Sequence, residues 1–490
     1  MRTLPVVNGN DIFGYGDSGS GFSREPSRWI TLYGKKMKTP KGPRLVAIQI
    51  LGDWEETVAS LDGVMDRHLS RTAMADARDR HLTMALVYGV ARWRPYLDWV
   101  GARFSRRPPS QLHPVVRQGL RIGLFQLLFL DRIPVSAAVN ETVQAVRGAG
   151  QPKWLSGFVN GVLRGAARGA ADLPDPRRDD AALPEAVRLG HPEWLIARWQ
   201  KRYGREATAA LCRINNTEPR LCLRTNVPKD GTAELVATLE EAGWRVEQGR
   251  YAPGAFYLPD FQGEIRKIPG FTSGTFQVQD EAAQLVAPLL GPFRAGAAYL
   301  DGCAGLGGKT THLARLLPEE SRVLAVEPDE GRTRLLMENL ARSGDDGRVE
   351  IRRATLREVA SEMQSRFAGV LIDAPCSGLG VIRRHPDIRW NRTEADLERY
   401  QAMQLELLES AAPLVQGGGI LVYATCSLEP EENEAVVEQF LARHDDFILT
   451  RADDFLPPSA KPLIDAEGFL RTRPDLHDLD GFFAARLQKT

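Results

Sequence analysis

The chain has 490 residues, 43% of them hydrophobic and 26% charged, with 63 Lys/Arg balanced against 63 Asp/Glu. So long a chain does not fold around one core, and its composition is that of a globular protein of roughly two to four domains, not of a disordered or fibrous one. No apolar run reaches the roughly 18 residues of a membrane span, and five cysteines, with neither a CxxC pair nor zinc-ligand spacing, argue against a disulfide framework or a structural metal.

The expectation is a cytoplasmic protein with free thiols, no metal and no membrane contact. Its opening, MRTLPVVNGNDIFGYGDSGSGFSREPSR, lacks the compact apolar run of a signal peptide. Residues 1–40 are rich in Gly, Ser and Pro without periodicity and read as a disordered basic tail. Met37 begins MKTPKGPRLVAIQIL, which reads like a natural start. Charge is uneven: residues 1–42 hold seven Lys/Arg against three Asp/Glu, and residues 43–170 seventeen against ten. A basic N-terminal part suits a module that binds a polyanion, although long helices that merely expose arginines give the same balance.

From 41 to 170 the pattern is helical. RLVAIQIL, RHLTMALVYGVARWRPYLDWV, VVRQGLRIGLFQLLFL, SAAVNETVQAV and LSGFVNGVLRG carry apolar residues at helical spacing between Pro- or Gly-containing breaks. IGLFQLLFL is apolar nearly all round, as a central bundle helix is. Residues 171–275 begin as a linker rich in Pro and Asp and continue with an amphipathic helix, HPEWLIARWQKRYG. A small α+β unit follows, in which PRLCLRTN, DGTAELVATLEEAGW and RVEQG read as strand, helix and strand. From 276 to 490 the rhythm is βα: AAYLDGCAG, RVLAVEPD, RVEIRRATL, FAGVLIDAPCSG and GGGILVYATCSL are five buried strands, and FILTRAD and GFFAARLQ close the chain. This order predicts a doubly wound, Rossmann-like α/β sheet with an antiparallel end, the layout of class I methyltransferases.

LDGCAGLGGKTTHLARLL is a strand, a glycine-rich turn and a helix. Gly305, Gly307 and Gly308 let backbone N–H groups approach a ligand that a Cβ would block. It does not fit a triphosphate loop: the glycine needed five residues before Gly308 falls on Cys303. The dinucleotide pattern beginning at Gly305 and Gly307 would need a third glycine at Thr310. The next strand ends at Glu327, which can accept both hydroxyls of a ribose; glycine turn and acidic strand end together suit S-adenosylmethionine. In DAPCSGLGVIRRHPDIRW, Asp373 can hydrogen-bond the edge of a cytosine and favour protonation at N3 as C6 is attacked. Arg383, Arg384, His385, Arg389 and Trp390 combine charge with a stacking surface, as readers of single-stranded RNA do; a solvated basic face is the plainer alternative. YATCSLEPEEN puts a second cysteine, Cys426, at the end of another strand.

DAPCSG together with YATCS resembles the RNA cytosine-C5 methyltransferase family. DGCAGLGGKTTH is similar to that family's cofactor loop and FQVQDEAAQL to the segment before it. IPVSAAVNETVQAV, GFVNGVLRG, HPEWL and DGFFAARL resemble the bacterial branch that acts on small-subunit ribosomal RNA through an added NusB-like domain. The resemblance implies an all-α NusB-like RNA-binding domain over 41–170, a small RRM-like α+β unit within 171–275 and a methyltransferase domain over 276–490. It implies S-adenosylmethionine held by Cys303, Ala304, Gly305, Leu306, Gly307, Gly308, Lys309, Glu327, Thr355 and Asp373, and a monomer whose partner is RNA.

Cytosine C5 is too poor a nucleophile to take a methyl group unaided; a thiolate added to C6 makes it enamine-like, and the thiol leaves after the C5 proton is removed. The base must first leave its stack. Spacing does not choose between Cys376 and Cys426. The family resemblance assigns attack to Cys426 and release of the adduct to Cys376, with Asp373 and Lys309 beside them; DNA cytosine methyltransferases attack instead from a Pro-Cys position. Two departures stand out. Leu306 replaces the family's usual proline, and Ala354–Thr355 replaces the Gly-Asp that meets adenine, so altered cofactor affinity is expected. A transfer RNA substrate is one alternative, and an RNA-binding assembly factor with vestigial chemistry is another.

Overall fold

The computed structural model describes residues 42–490 except Val58, Ala73, Ala75, 179–180 and 228–230; the tail expected over 1–40 lies outside the described residues. These residues form two compact units, 42–217 with 385–391, and 218–384 with 392–490.

The first unit is helical. Helices α1 (Pro43–Glu56), α2 (Leu61–Arg71), α3 (Ala77–Phe104), α4 (Pro114–Phe129), α5 (Val135–Gly148) and α6 (Lys153–Arg168) are followed by α7 (Glu185–Leu189), α8 (Glu193–Tyr203) and α9 (Arg205–Asn215). The sequence reading passed over α2, although its buried Leu61, Val64, Met65 and Leu69 keep helical spacing. α3 carries Pro95 inside it and bends at Trp93 (φ −109°, ψ 17°), because the proline ring displaces the carbonyl a turn earlier. α4 is the central helix. A Cβ on Gly123 would lie 2.5 Å from Leu163 Cδ1 and one on Gly119 2.5 Å from Val146 Cγ2, so α4 meets α5 and α6 almost backbone to side chain. Part of this unit's basic excess is used internally: Arg121, 3% exposed, pairs with Glu55 at 2.5 Å and Asp98 at 2.6 Å.

The second unit holds two sheets. Strands β1 (Leu221–Thr225), β2 (Glu247–Gln248), β3 (Ala255–Leu258) and β4 (Phe276–Val278) form an antiparallel sheet in the order β2-β3-β1-β4, with helix α10 (Thr232–Glu241) between β1 and β2. Its core gathers Leu223, Leu239, Phe256 and Phe276. Residues 276–278, read from the sequence as the opening of the βα region, therefore belong to the small sheet: Phe276, 0% exposed, fills its core beside Leu223.

The eight-stranded sheet comprises β5 (Ala298–Asp301), β6 (Arg322–Val326), β7 (Val349–Arg352), β8 (Phe367–Asp373), β9 (Val415–Thr425), β10 (Phe447–Thr450), β11 (Leu470–Arg471) and β12 (Phe483–Lys489). The order is β10-β12-β9-β8-β5-β6-β7, with β11 on β12; helix α11 (Glu281–Gln284) precedes β5, and α12 (Gly308–Leu316), α13 (Glu330–Ser343) and α14 (Leu356–Glu362) follow β5, β6 and β7. Strands β5 to β9 run parallel, whereas β12 is antiparallel to both β9 and β10. The chain winds outward from β5 through β6 to β7, then returns to place β8 on the other side of β5. A crevice opens at such a reversal, at the carboxyl ends of the strands. Asp301, Glu327, Asp373 and Cys426 all sit at or just beyond those ends.

Candidate active site

The turn after β5 is shaped by its glycines. Gly305 (φ 53°) and Gly307 (φ 88°) occupy left-handed backbone conformations, and helix α12 (Gly308–Leu316) starts without a side-chain cap. A Cβ on Gly305 would have no neighbour within 4 Å, so the turn faces open space there and lets a ligand approach its backbone closely. Gly307 is constrained from the other side, since a Cβ there would lie 2.6 Å from Leu336 Cδ1. Gly307→Ala is expected to destabilise the protein by about 1–3 kcal/mol, combining backbone strain with overpacking; thermal unfolding of the variant checks this.

Glu327 stands against the turn. Its Oε2 accepts the Gly305 N–H at 3.1 Å and its Oε1 the Asp329 N–H at 2.9 Å, and burial raises its pKa. The Leu306 carbonyl accepts a hydrogen bond from Asn339 Nδ2 at 2.9 Å. Ala304 and Leu306 are buried and Cys303 half-buried. Burial, reinforced by the charges of Asp301, Asp373 and Glu327, pushes the Cys303 thiol well up. Burial does the same to Cys222 and takes Cys212 to about 12. Raised in this way, these three are poor thiolates.

Asp301, which the sequence reading did not single out, ties the turn to its helix. It accepts hydrogen bonds from Thr310 Oγ1 at 2.7 Å and Cys303 N–H at 3.3 Å. Burial pushes its carboxyl up to about 6 from 3.8. A raised pKa means that the folded state binds this proton more tightly than the unfolded one. Its contribution to stability is therefore full below about pH 4 and is lost as pH rises through about 6. Wild type should lose up to about 3 kcal/mol relative to Asp301→Asn across that window; denaturant unfolding of both proteins at a series of pH values reads the difference.

Two pairs of side chains form at and just beyond the ends of β8 and β9. Lys309 Nζ, from α12, donates to Asp373 Oδ2 at 2.6 Å and lies 5.0 Å above the Phe482 ring. The Cys376 and Cys426 sulfurs are 3.1 Å apart, neither is in a disulfide, and they are 4% and 2% exposed. Two short loops bring them together. The Gly380 N–H donates to the Cys426 carbonyl at 2.9 Å, and a Cβ on Gly380 would lie 2.1 Å from the Gly481 carbonyl oxygen. Only glycine lets these strands approach so closely.

The structure gives Thr355 a local partner and places the basic stretch after β8 among contacts within the protein. Thr355, expected to help bind adenine, caps helix α14 (Leu356–Glu362): its hydroxyl donates to Glu358 at 2.8 Å and accepts the Glu358 N–H at 3.3 Å. The basic stretch after β8 is not an open RNA-reading face. Arg383 pairs with Asp478 at 2.6 Å, and Arg384 with Asp480 and Asp280 at 2.6 and 2.7 Å. The short helix α15 (Ile388–Asn391) and the residues just before it pack within the helical unit. His385 bonds Asp62 at 2.7 Å, and Trp390 Nε1 donates to the Ala91 carbonyl at 2.7 Å. Arg389 is 0% exposed and donates to the Gly190 and Asn215 carbonyls and to Asn216. Guanidinium donors committed to buried acceptors cannot also meet a phosphate.

Comparison with known proteins agrees with this arrangement. Residues 289–488 match the family described as 16S rRNA methyltransferase RsmB/F, residues 41–168 the NusB family, and residues 191–262 the ferredoxin-like domain of the RsmF/B-like methyltransferases. The ribosomal RNA small subunit methyltransferase B of Pseudomonas syringae pv. tomato is 39% identical over 407 residues, 82% of this chain and 87% of that one. The probable ribosomal RNA small subunit methyltransferase B of Synechocystis is 34% identical over 449 residues, 91% of this chain and 99% of its own. Among solved structures, the crystal structure of PH0851 superposes with a TM-score of 0.75 at 26% identity, covering 93% of this chain and 100% of that one. A methyltransferase homologue from Pyrococcus horikoshii matches with a TM-score of 0.52 at 29% identity, over 62% of this chain and 97% of its own. Fold and site together define a class I methyltransferase with an added NusB domain and a small ferredoxin-like domain. The chain belongs to the family of ribosomal RNA small subunit methyltransferase B.

No helix among the described residues is long and apolar enough to cross a membrane, and no metal-ligating cluster occurs among them.

Proposed function

We propose that this protein transfers a methyl group from S-adenosylmethionine to C5 of a cytosine in small-subunit ribosomal RNA, through a covalent adduct between Cys426 and C6 of the base. The observation that carries this reading is the approach of the Cys376 and Cys426 sulfurs to 3.1 Å just beyond the ends of β8 and β9, where Asp373 closes β8 and pairs with Lys309. The residues fit the cofactor: an open glycine turn, an uncapped helix start and the Glu327 carboxylate beside it match a ligand with a ribose and a carboxylate. Gly305 to Lys309 and Glu327 would hold it. When bound, S-adenosylmethionine supplies an electrophilic methyl group.

The chain's own residues supply the rest. Cys426 adds to C6 as a thiolate, forming the S–C6 bond. Asp373 binds the cytosine edge at N3 and N4, with Lys309 fixing its carboxylate, and relays the proton given up by the Cys426 thiol to N3, so the electrons displaced by attack are taken up there and C5 becomes nucleophilic. Once C5 carries the methyl group, Cys376, as a thiolate, takes the C5 proton and passes it to solvent, the C5–C6 double bond reforms as S–C6 breaks, and the N3 proton returns through Asp373 to the departing Cys426. Cys376, adjacent to the adduct, assists that release. The helical domain over 41–170 and the segment over 171–275 hold the RNA, and the protein works as a cytoplasmic monomer.

The test is methylation of unmodified small-subunit rRNA with methyl-deuterated S-adenosylmethionine, followed by nucleoside mass spectrometry. Deuterated 5-methylcytidine is expected. Label on another atom, or label only in transfer RNA, would sink the assignment.

A further inference from the structure

Glu432 touches neither thiol, yet both cysteine loops hang from it. It ends the turn Pro430–Glu432 and is 0% exposed. Its Oε1 accepts the Ser377 N–H at 2.7 Å and a Gln404 Nε2–H at 3.1 Å. Its Oε2 accepts the Ser377 hydroxyl at 2.5 Å and the Ser427 hydroxyl as well. Ser377 follows Cys376 and Ser427 follows Cys426, so one carboxylate grips the residue after each cysteine. The neighbouring bonds brace the same point. Gln404 Nε2 also donates to the Pro375 carbonyl at 3.0 Å, and the Tyr423 hydroxyl donates to the Glu432 carbonyl at 2.6 Å. Asn433 Nδ2 donates to the Ser427 carbonyl at 3.0 Å.

Glu432 has a specific chemical fit. Four donors converge on two oxygens, and an ionised carboxylate is the side-chain group that accepts at both oxygens and donates at neither. An amide of the same shape would aim N–H groups at two of those donors. Burial raises the Glu432 pKa, and the serine and glutamine hydrogen bonds act against burial by favouring the charged form. Breaking the cluster would also leave buried polar groups without partners, which is itself costly.

We propose that Glu432 is the positioning residue of this site, holding Ser377 and Ser427 so that the Cys376 and Cys426 thiols face one substrate carbon. The use made of the paired thiols rests on the reaction proposed above; the pairing itself does not.

Two readouts separate these. Phenylarsine oxide condenses with two neighbouring thiols, forming two As–S bonds and releasing water, whatever reaction the protein catalyses. Wild type should bind one arsenical across Cys376 and Cys426, located by peptide mass spectrometry and absent from Cys376→Ala and Cys426→Ala. Glu432→Gln should bind it about tenfold more weakly and lower kcat about a hundredfold, as displacement of a reacting group by about 1 Å does, with KM for S-adenosylmethionine unchanged. Ser427→Ala, a milder change, should shift both in the same direction, and Glu432→Asp, which keeps the charge, should recover part of the loss. Arsenical bridging and kcat at wild-type levels in folded Glu432→Gln would overturn the proposal. Weakened bridging in that variant, beside a wild type that methylates no cytosine, would uphold the clamp and refute the reaction.

Discussion

Cys426→Ala is expected to abolish methyl transfer, by about four orders of magnitude or more, whereas Cys376→Ala should retain attack and fail at release. The reason is the geometry of the pair. With sulfurs 3.1 Å apart, both thiols reach the same carbon, but one carbon accepts one S–C6 bond at a time. If Cys426 makes that bond, removing Cys376 leaves an adduct that forms and does not resolve. Cys376→Ala mixed with cofactor and unmodified small-subunit rRNA should therefore accumulate a protein–RNA species that survives denaturation, seen as a slow band on a denaturing gel. Adding Cys426→Ala to that variant should remove the band. A trapped species in Cys426→Ala alone would reverse the two roles. Burial raises the thiols of Cys303, Cys212 and Cys222, so none of them is expected to take over the attack.

The second large effect is expected at Asp373. Its carboxylate is the charged group at the end of β8, paired with Lys309 at 2.6 Å, and attack at C6 needs a proton donor or its equivalent at N3. Asp373→Asn should lower kcat about a thousandfold, within the range of a lost general acid. The KM for S-adenosylmethionine should stay within a few-fold, since Glu327 and the glycine turn are untouched. Lys309→Met removes the ion that fixes the carboxylate and should cost about a hundredfold. The pair acts as a unit, so the double variant should be little worse than Asp373→Asn. Steady-state kinetics of the three variants measures this directly.

Much of this site was legible in the sequence because open α/β sheets put ligands at strand ends, and Cys376, Cys426, Asp373 and Glu327 each close a recognisable apolar run. The glycine spacing in DGCAGLGGKTTH carried the turn that the structure shows. What escaped was decided by partners distant in the chain. Glu432 lies in EPEEN, which reads as a solvated acidic stretch until Ser377, 55 residues away, and Gln404 are seen to converge on it. Arg389 and Trp390 look the same whether they face RNA or a protein interior, since charge and aromaticity serve both. Carbonyls at Gly190 and Asn215, well over a hundred residues earlier, decide the matter. Thr355 reads as a weakened adenine contact, but Glu358 three residues on makes it a capping box, a local pattern that the sequence did contain. Strand β4, three residues long, is too short for its alternation to reveal which sheet it joins.

The central claim, attack by Cys426 on a cytosine ring, is tested most directly without altering the protein. Small-subunit rRNA carrying 5-fluorocytidine offers C6 for attack and C5 for methylation but has no C5 proton to lose, so the adduct persists after methyl transfer. Wild-type protein is incubated with this RNA and S-adenosylmethionine, digested with nuclease and trypsin, and analysed by mass spectrometry. Trypsin separates the two cysteines, with Cys376 in the peptide 367–383 and Cys426 in the peptide 400–443. The mass of a methylated fluorocytosine nucleotide on peptide 400–443, located to Cys426, is the predicted result. The same mass on peptide 367–383, or on neither peptide, would contradict the account.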